Sequence, residues 1–385
     1  MIYLDHNATT PVDPAVAEKM AWFLREHFGN PSSLYPIGRR VKELLNEARE
    51  RVAASLGADR GEIYFTGSGT EADNFAVFGA LDAAAPERNE LVTSAIEHPA
   101  VIEAAKTVEK RGVKVTFVPV DGYGTIDLDH LRAALTPRTG LVSIMHANNE
   151  IGTVQPIAEI VRIAHERDIP VHTDAVQSFG KIDVDVRKLG VDYLTVSAHK
   201  IYGPKGVGAL YVRRGAAIDP FVHGGRQERG LRAGTENTAG IVGFGEAVRV
   251  LEEMGRKERT RIERLATVLK KGIEDAIAGA KFNGHPENRV KNTLNFAFPG
   301  LEAEAILLAL ATKEIYVSTG SACSEESEEV SHVLQAIGLR PEIARSAIRM
   351  SLGRSNTDED IAVVLGELPE IIGKLRAITA FHPEG

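Results

Sequence analysis

The sequence predicts an α/β fold: a mostly parallel sheet covered by helices on both faces, followed by a smaller α+β region. Three observations predict it. Apolar strand-like runs alternate with helix-length stretches through most of the chain, which is the signature of βαβ units. The alternation breaks down after about residue 240. And 385 residues can bury a large core and build two lobes without disulfide staples.

The elements follow in order. "EIYF" before Thr66 reads as a strand, then a glycine-rich turn, then a helix from about Glu71. "ELVTSA" and "VKVTFVPV" read as strands separated by a helix over Pro99–Lys110. "LVSIMHA" is a strand, "IAEIVRIAHERD" has helical spacing, and "IPVHTDA", "VDYLTVSAHK" and "VGALYVRR" are strands. A long helix over 246–278 is the candidate boundary, and its charges suit a solvated face. Beyond it come a strand near "NTLNFAFP", a helix over Ala303–Ala311 and a last helix after Asp358.

Composition narrows the function. A net charge of −8 without a clustered basic face gives no footprint for nucleic acid. A single cysteine, Cys323, rules out an internal disulfide or a cysteine-rich zinc site and suits a reducing compartment. No run approaches the length of a membrane span, and "MIYLDHNATTP" does not read as a signal peptide. The expected location is the cytoplasm.

Ligands of open α/β sheets bind at the carboxyl ends of the strands, and several reactive residues fall there. In "FTGSGTEADN", Gly67 and Gly69 flank Ser68, and Thr70 follows. Such a turn at a helix start suits a phosphate monoester, or is a plain βα turn capped by Thr70. In "HTDAVQS", Asp174 ends a strand and Gln177 lies three residues on. The aspartate is either a turn former or the partner of a cofactor nitrogen. In "SAHKIYGPKG", Lys200 leaves an apolar strand. Desolvation there would lower its pKa and yield an amine able to form a Schiff base. Lysine, aspartate and phosphate cradle together are what pyridoxal 5'-phosphate (PLP) requires. In "SAIEHPAV", His98 follows another strand. It is either a structural cap or a group that stacks on a ring and moves protons.

These motifs resemble the cysteine desulfurases of the NifS/IscS type, PLP-dependent fold-type I enzymes of the class V aminotransferase group. The resemblance runs along essentially the whole chain, through "YLDHNATTPVDP", "FGNPSS", "EIYFTGSGTEADN", "EHPAV", "MHANNEIGTVQPI", "HTDAVQS", "SAHKIYGPKGVGALYVRRG", "HGGRQERGLRAGTEN", "STGSAC" and "SLGRSNTDED". It implies a large PLP-binding domain, 14–257, with a mostly parallel seven-stranded sheet. A small domain, 1–13 with 258–385, would carry the cysteine loop. By the same resemblance Lys200 would carry the cofactor, Asp174 would pair with its ring nitrogen, and Gln177 would contact its phenolic oxygen. His98 would stack on the ring. Gly69, Thr70, Ser197 and His199 would bind phosphate, and Thr235 would reach the phosphate of the other subunit of a homodimer. Asn149 and Arg349 would orient the cofactor and hold the substrate carboxylate, which an arginine fork suits.

Cys323 gains a use in this frame. In the family, substrate cysteine condenses with PLP and a cysteine thiolate takes its sulfur, leaving alanine and an enzyme persulfide. Gly320, Ser321 and Ala322 suit a flexible loop. The loop length resembles that of the subgroup serving iron–sulfur cluster assembly through a scaffold protein. The chain departs from the pattern in the stretch Gly67-Ser68-Gly69-Thr70, where the family usually has "SGAT", and at Tyr35, Arg226, Glu328 and Val330. Its glutamates Glu325, Glu326, Glu328 and Glu329 either favour the start of the next helix or tune Cys323 and acceptor docking. A selenocysteine lyase, an aminotransferase on the same fold and a non-catalytic PLP- or scaffold-binding partner stay open at this point.

Overall fold

The structure, a computed structural model, describes residues 1–319 and 330–379. Cys323, its glycine-serine-alanine neighbours and the glutamates that follow lie outside the described residues. The main sheet has seven strands in the spatial order Ile63–Thr66, Gly208–Val212, Tyr193–Ser197, Val171–Asp174, Thr139–Ser143, Glu90–Ser94 and Lys114–Val118. Six are mutually parallel, and Gly208–Val212 runs antiparallel to both its neighbours. The five strands from Gly208–Val212 to Glu90–Ser94 in that order are buried at every position. Helices cover both faces, so these strands show no apolar–polar alternation, and the polar residues in them, such as Thr93, His172 and Thr195, are buried too. The edge strand Lys114–Val118 is largely exposed and begins with a lysine, which discourages pairing with another chain.

Register brings the turns together. Gly208 pairs with Thr66 on one side and Ser197 on the other. A Cβ at Gly208 would lie 2.6 Å from the Ser68 carbonyl carbon, so only glycine lets the Gly67–Ser68 turn fold over the sheet edge. The helix after that turn is Gly69–Asp82, one turn tip earlier than expected, and its N-cap is Ser68 rather than Thr70. Helix Pro99–Lys110 matches the sequence reading, with His98 as its N-cap and Pro99 at its first position. Helices Pro14–Glu26 and Pro36–Ser55 add to one face and were not among the elements read from sequence.

A second sheet is antiparallel throughout, ordered Ser318–Thr319, Ala347–Ser351, Thr293–Ala297, Lys281–Asn283. It has its own core, including Leu265, Leu269, Phe296, Ile348 and Leu368. The N-terminus lies beside it: Ile2–Tyr3 pairs with Ile315–Tyr316, and Asp5 bridges to Ser351. The long helix spans Thr238–Ala276 and passes from one core to the other. It breaks at Gly255, whose φ of 52° and ψ of −147° suit glycine alone.

Candidate active site

Every residue singled out from the parallel sheet sits at its carboxyl edge. Asp174 closes its strand, 6% exposed, and its Oδ1 accepts the Val176 N–H at 2.8 Å. Burial pushes its pKa up to about 6, while the Val176 hydrogen bond and the nearby Lys200 pull the other way. A carboxylate so enclosed calls for a cationic partner. Ser197, at the end of the adjacent strand, is buried, and Lys200 follows on a single 3-10 turn. The Lys200 Nζ donates to the backbone carbonyls of Asn7 and Ala8 at 2.6 and 2.7 Å.

The glycine-rich turn read as a candidate phosphate cradle folds against the ends of two neighbouring strands. Gly69 is buried at the first position of its helix, and a Cβ there would sit 3.1 Å from Val176 and 3.4 Å from Ser197. The first N–H groups of a helix have no intrahelical partners and face such a pocket as anion donors. Ser68 Oγ is used to cap Glu71 N–H at 3.0 Å, so the backbone amides of Gly69 and Thr70 are the donors that remain. Glu71 in turn receives Gly67 N–H and the Arg232 guanidinium, which fixes the turn. Thr70 itself is exposed. His199 shares a hydrogen bond with Thr9 Oγ1 at 3.1 Å, and burial beside Lys200 lowers its pKa to about 4.

His98 is both cap and candidate acid–base group. Its Nδ1 accepts the Ala100 N–H at 3.1 Å, which leaves the neutral ring's proton on Nε2. Burial, with Lys200 next in effect, lowers its pKa to about 4, so the ring is neutral at physiological pH.

The antiparallel sheet supplies Arg349. It is 4% exposed, and its guanidinium donates to the Asn149 carbonyl at 3.2 Å and to Asp5 Oδ1 at 2.8 Å. Its Nε is buried without a partner among the described residues. Thr235 is exposed in the loop before the helix that Asn237 caps, and among the described residues no side-chain hydrogen bond joins it to the cluster.

Sequence reasoning missed the residue that ties the two sheets together. The Asn7 carbonyl accepts from Lys200 and from Gln177 Nε2, the latter at 3.0 Å. Asn7 N–H donates to Ser351 Oγ, and its Nδ2 donates to Asn149 O and Thr293 Oγ1. The signal was the short polar run "DHNATT" between an apolar strand and Pro11. Also missed were Lys181, bonded to Gln177 and Asn7, and Glu97, buried just before His98 in the chain. Chemically the cluster offers an amine, a buried carboxylate, an anion cradle, a neutral imidazole and an arginine fork. A phosphorylated pyridine aldehyde and an amino-acid carboxylate fit that donor set.

Comparison with known proteins agrees with this chemistry. The class-V aminotransferase family model matches residues 2–364. "Cysteine desulfurase IscS" of Dictyoglomus turgidum is 48% identical over 383 residues, covering 100% of this chain and 97% of that protein. The protein of the same name from Clostridium botulinum strain Hall is 47% identical over 380 residues, covering 98% and 96%. Among solved structures, a "NifS-like protein" superposes with a TM-score of 0.91 at 40% identity, covering 97% of this chain and 100% of the other. A structure described as "SspA in complex with cysteine" has a TM-score of 0.82 at 38% identity, covering 93% and 100%. The chain therefore belongs to the class-V aminotransferase family, in its NifS/IscS-type cysteine desulfurase branch.

Proposed function

We propose that this chain is a PLP-dependent cysteine desulfurase that converts L-cysteine to L-alanine and passes the sulfur to Cys323 as a persulfide, for iron–sulfur cluster assembly. The observation that carries the reading is the convergence of Lys200, Asp174, Gln177, Ser197 and His98 at neighbouring strand ends, joined through Asn7 and Asn149 to Arg349. PLP supplies an electron sink conjugated to the substrate's amino group. Lys200 would hold the cofactor, Asp174 would pair with its ring nitrogen, and Gln177 would donate to its phenolic oxygen. The Gly69 and Thr70 amides, Ser197 and His199 would take the phosphate. His98 would stack on the ring, with its proton at Nε2, and Asn149 would help orient the ring. Arg349 binds the substrate carboxylate, which gives its unpartnered buried Nε an acceptor. The C–S bond of the substrate breaks as an S–S bond forms to Cys323, and a proton delivered to the carbon left behind completes alanine.

Residues 14–257 form the cofactor lobe and 1–13 with 258–385 the smaller one, a division supported by the two separate cores and the Gly255 break. The working unit is a homodimer in which Thr235 reaches the partner's phosphate, in keeping with its exposure here. The single thiol suits the cytoplasm, and the sulfur acceptor is a cluster scaffold protein.

The test is alanine release from L-cysteine by the purified, PLP-loaded protein with reductant, beside Cys323→Ala. Alanine from the native protein alone supports the reading. Alanine from neither removes cysteine as the substrate.

A further inference from the structure

Lys181 looks like one surface charge among many in the sequence, yet its Nζ is turned inward. It donates to Gln177 Oε1 at 2.7 Å and to Asn7 Oδ1 at 2.8 Å. Both amides are almost fully buried, Gln177 at 7% and Asn7 at 2% exposure, so neither can turn to water for an alternative partner. An amide side chain has one accepting and one donating end, and a lysine ammonium only donates. Facing Lys181, each amide must present its oxygen. The donating ends are then fixed on the far side. For Asn7 both N–H groups are used, on Asn149 O and Thr293 Oγ1. For Gln177 one N–H goes to the Asn7 carbonyl, and the second has no protein partner among the described residues.

We propose that Lys181 is a positioning residue for the cofactor: by holding the oxygen of Gln177, it commits the remaining Gln177 N–H to the phenolic oxygen of PLP. This rests on the reading of Gln177 given above. The same lysine fixes Asn7, the joint between the sheets. Burial, reinforced by Lys200 and Arg349, pushes the Lys181 pKa well below the ordinary lysine value. Either protonation state supplies the two N–H groups that the two oxygens require. The cleft beside Lys181 is lined by the apolar Leu251, Met254 and Ile262 and also by Lys200, Arg259 and Arg354.

A double-variant cycle tests the idea, with two readouts separate from turnover. These are the affinity of the cofactor-stripped protein for PLP and the visible absorption maximum of the loaded protein. Lys181→Met keeps the side chain's length and removes its donors. It is expected to weaken PLP binding about tenfold and to shift the visible band, as Gln177→Leu does. Because Lys181 acts through Gln177, adding Lys181→Met to Gln177→Leu is expected to cost less than about twofold more. Lys181→Arg, which keeps donors, is expected to retain affinity within about threefold. Should Lys181→Met fail to fold, Lys181→Gln serves in the cycle, since an amide can accept as well as donate and no longer dictates which end faces it. Wild-type affinity and band position in Lys181→Met or Lys181→Gln, with Gln177→Leu impaired, overturn the proposal, as do additive losses in the cycle. If Gln177→Leu is itself silent, the underlying reading of Gln177 fails instead.

Discussion

In the parallel sheet, Asp174 and Ser197 stand at strand ends, and Lys200 on the turn just beyond. In the antiparallel sheet, Arg349 lies at the middle of its strand, opposite Asn295 and Ser318. The two sheets thus feed the site by different routes. Parallel strands all finish on one edge, where loops and helix N-termini can gather an amine, a carboxylate and an anion cradle from distant stretches of sequence. An antiparallel strand has neighbours on both sides and reaches the site only through a side chain on one face. The first arrangement suits a large cofactor with several recognised groups. The second suits one strong, directional contact. The N-terminal residues 5–10 are shared between them, with Asp5 on Arg349, Asn7 on both sheets and Thr9 on His199.

The sharpest way to break this division is to remove the amine. Lys200→Met is expected to abolish alanine formation, by a factor on the order of 10³ or more. The cofactor is also expected to wash out on dialysis, followed by loss of visible absorbance. Retention of the band with full activity would mean that the parallel edge does not hold the cofactor through Lys200.

A smaller effect of a different kind is expected from the other sheet. Arg349→Lys keeps the charge and loses the fork. The KM for cysteine should rise about 10- to 100-fold, the value of one or two charged hydrogen bonds, with the visible band unmoved. A band shift with unchanged KM would place Arg349 on the cofactor and erase the distinction between the sheets.

These two regions were not equally legible in the sequence. The strands of the parallel sheet read clearly because burial on both faces enriches them in apolar and β-branched residues, and turn glycines punctuate them. Helices Pro99–Lys110 and Ala303–Ala311 were found with their bounds. The long helix was read from residue 246, yet it begins at Thr238. Its first turns carry Gly240, Gly243 and Gly245, poor helix formers that argue against a helix locally. They are there for packing: a Cβ at Gly245 would sit 2.7 Å from Ala48, and one at Gly243 2.7 Å from Met20. Tertiary contact overrides propensity at that point. Strand Ala347–Ser351 is only five residues long, and an arginine inside it read locally as a surface ion pair. Only the resemblance gave Arg349 its role. Asn7 was invisible for a third reason, since its partners lie 142 to 344 residues away in the chain. Lys181 sits four residues from Gln177, but nothing in "QSFGK" says that its Nζ turns inward.

The smallest effect is a pH slope, and it compares two buried carboxyls. Glu97 is held from within the parallel-sheet region: Ser94 Oγ donates to it, and so does Met145 N–H, at 2.9 and 3.1 Å to its two oxygens. Burial lifts its pKa from 4.5 to about 8. Glu150 accepts from Ser331, beyond the cysteine segment, at 2.6 Å, and its pKa is lifted only to about 7, with Arg349 among the groups opposing the rise. A carboxyl with a raised folded pKa binds a proton in the folded chain that the unfolded chain has released. Between the unfolded and folded values, stability therefore falls as pH rises. For Glu97 that window runs from 4.5 to about 8, and for Glu150 from 4.5 to about 7. Each unit is worth about 1.4 kcal/mol at most, so the loss is on the order of a few kcal/mol. Glutamine mimics the protonated acid and does not titrate. Urea unfolding at pH 5 and pH 8 is expected to show a shallower decline for Glu97→Gln than for wild type, and a smaller flattening for Glu150→Gln. Parallel slopes for wild type and Glu97→Gln would mean that Glu97 is ionised in the fold. A buried charge would then adjoin His98 in the chain, balanced among the described residues only by the Ser94 hydroxyl and the Met145 N–H.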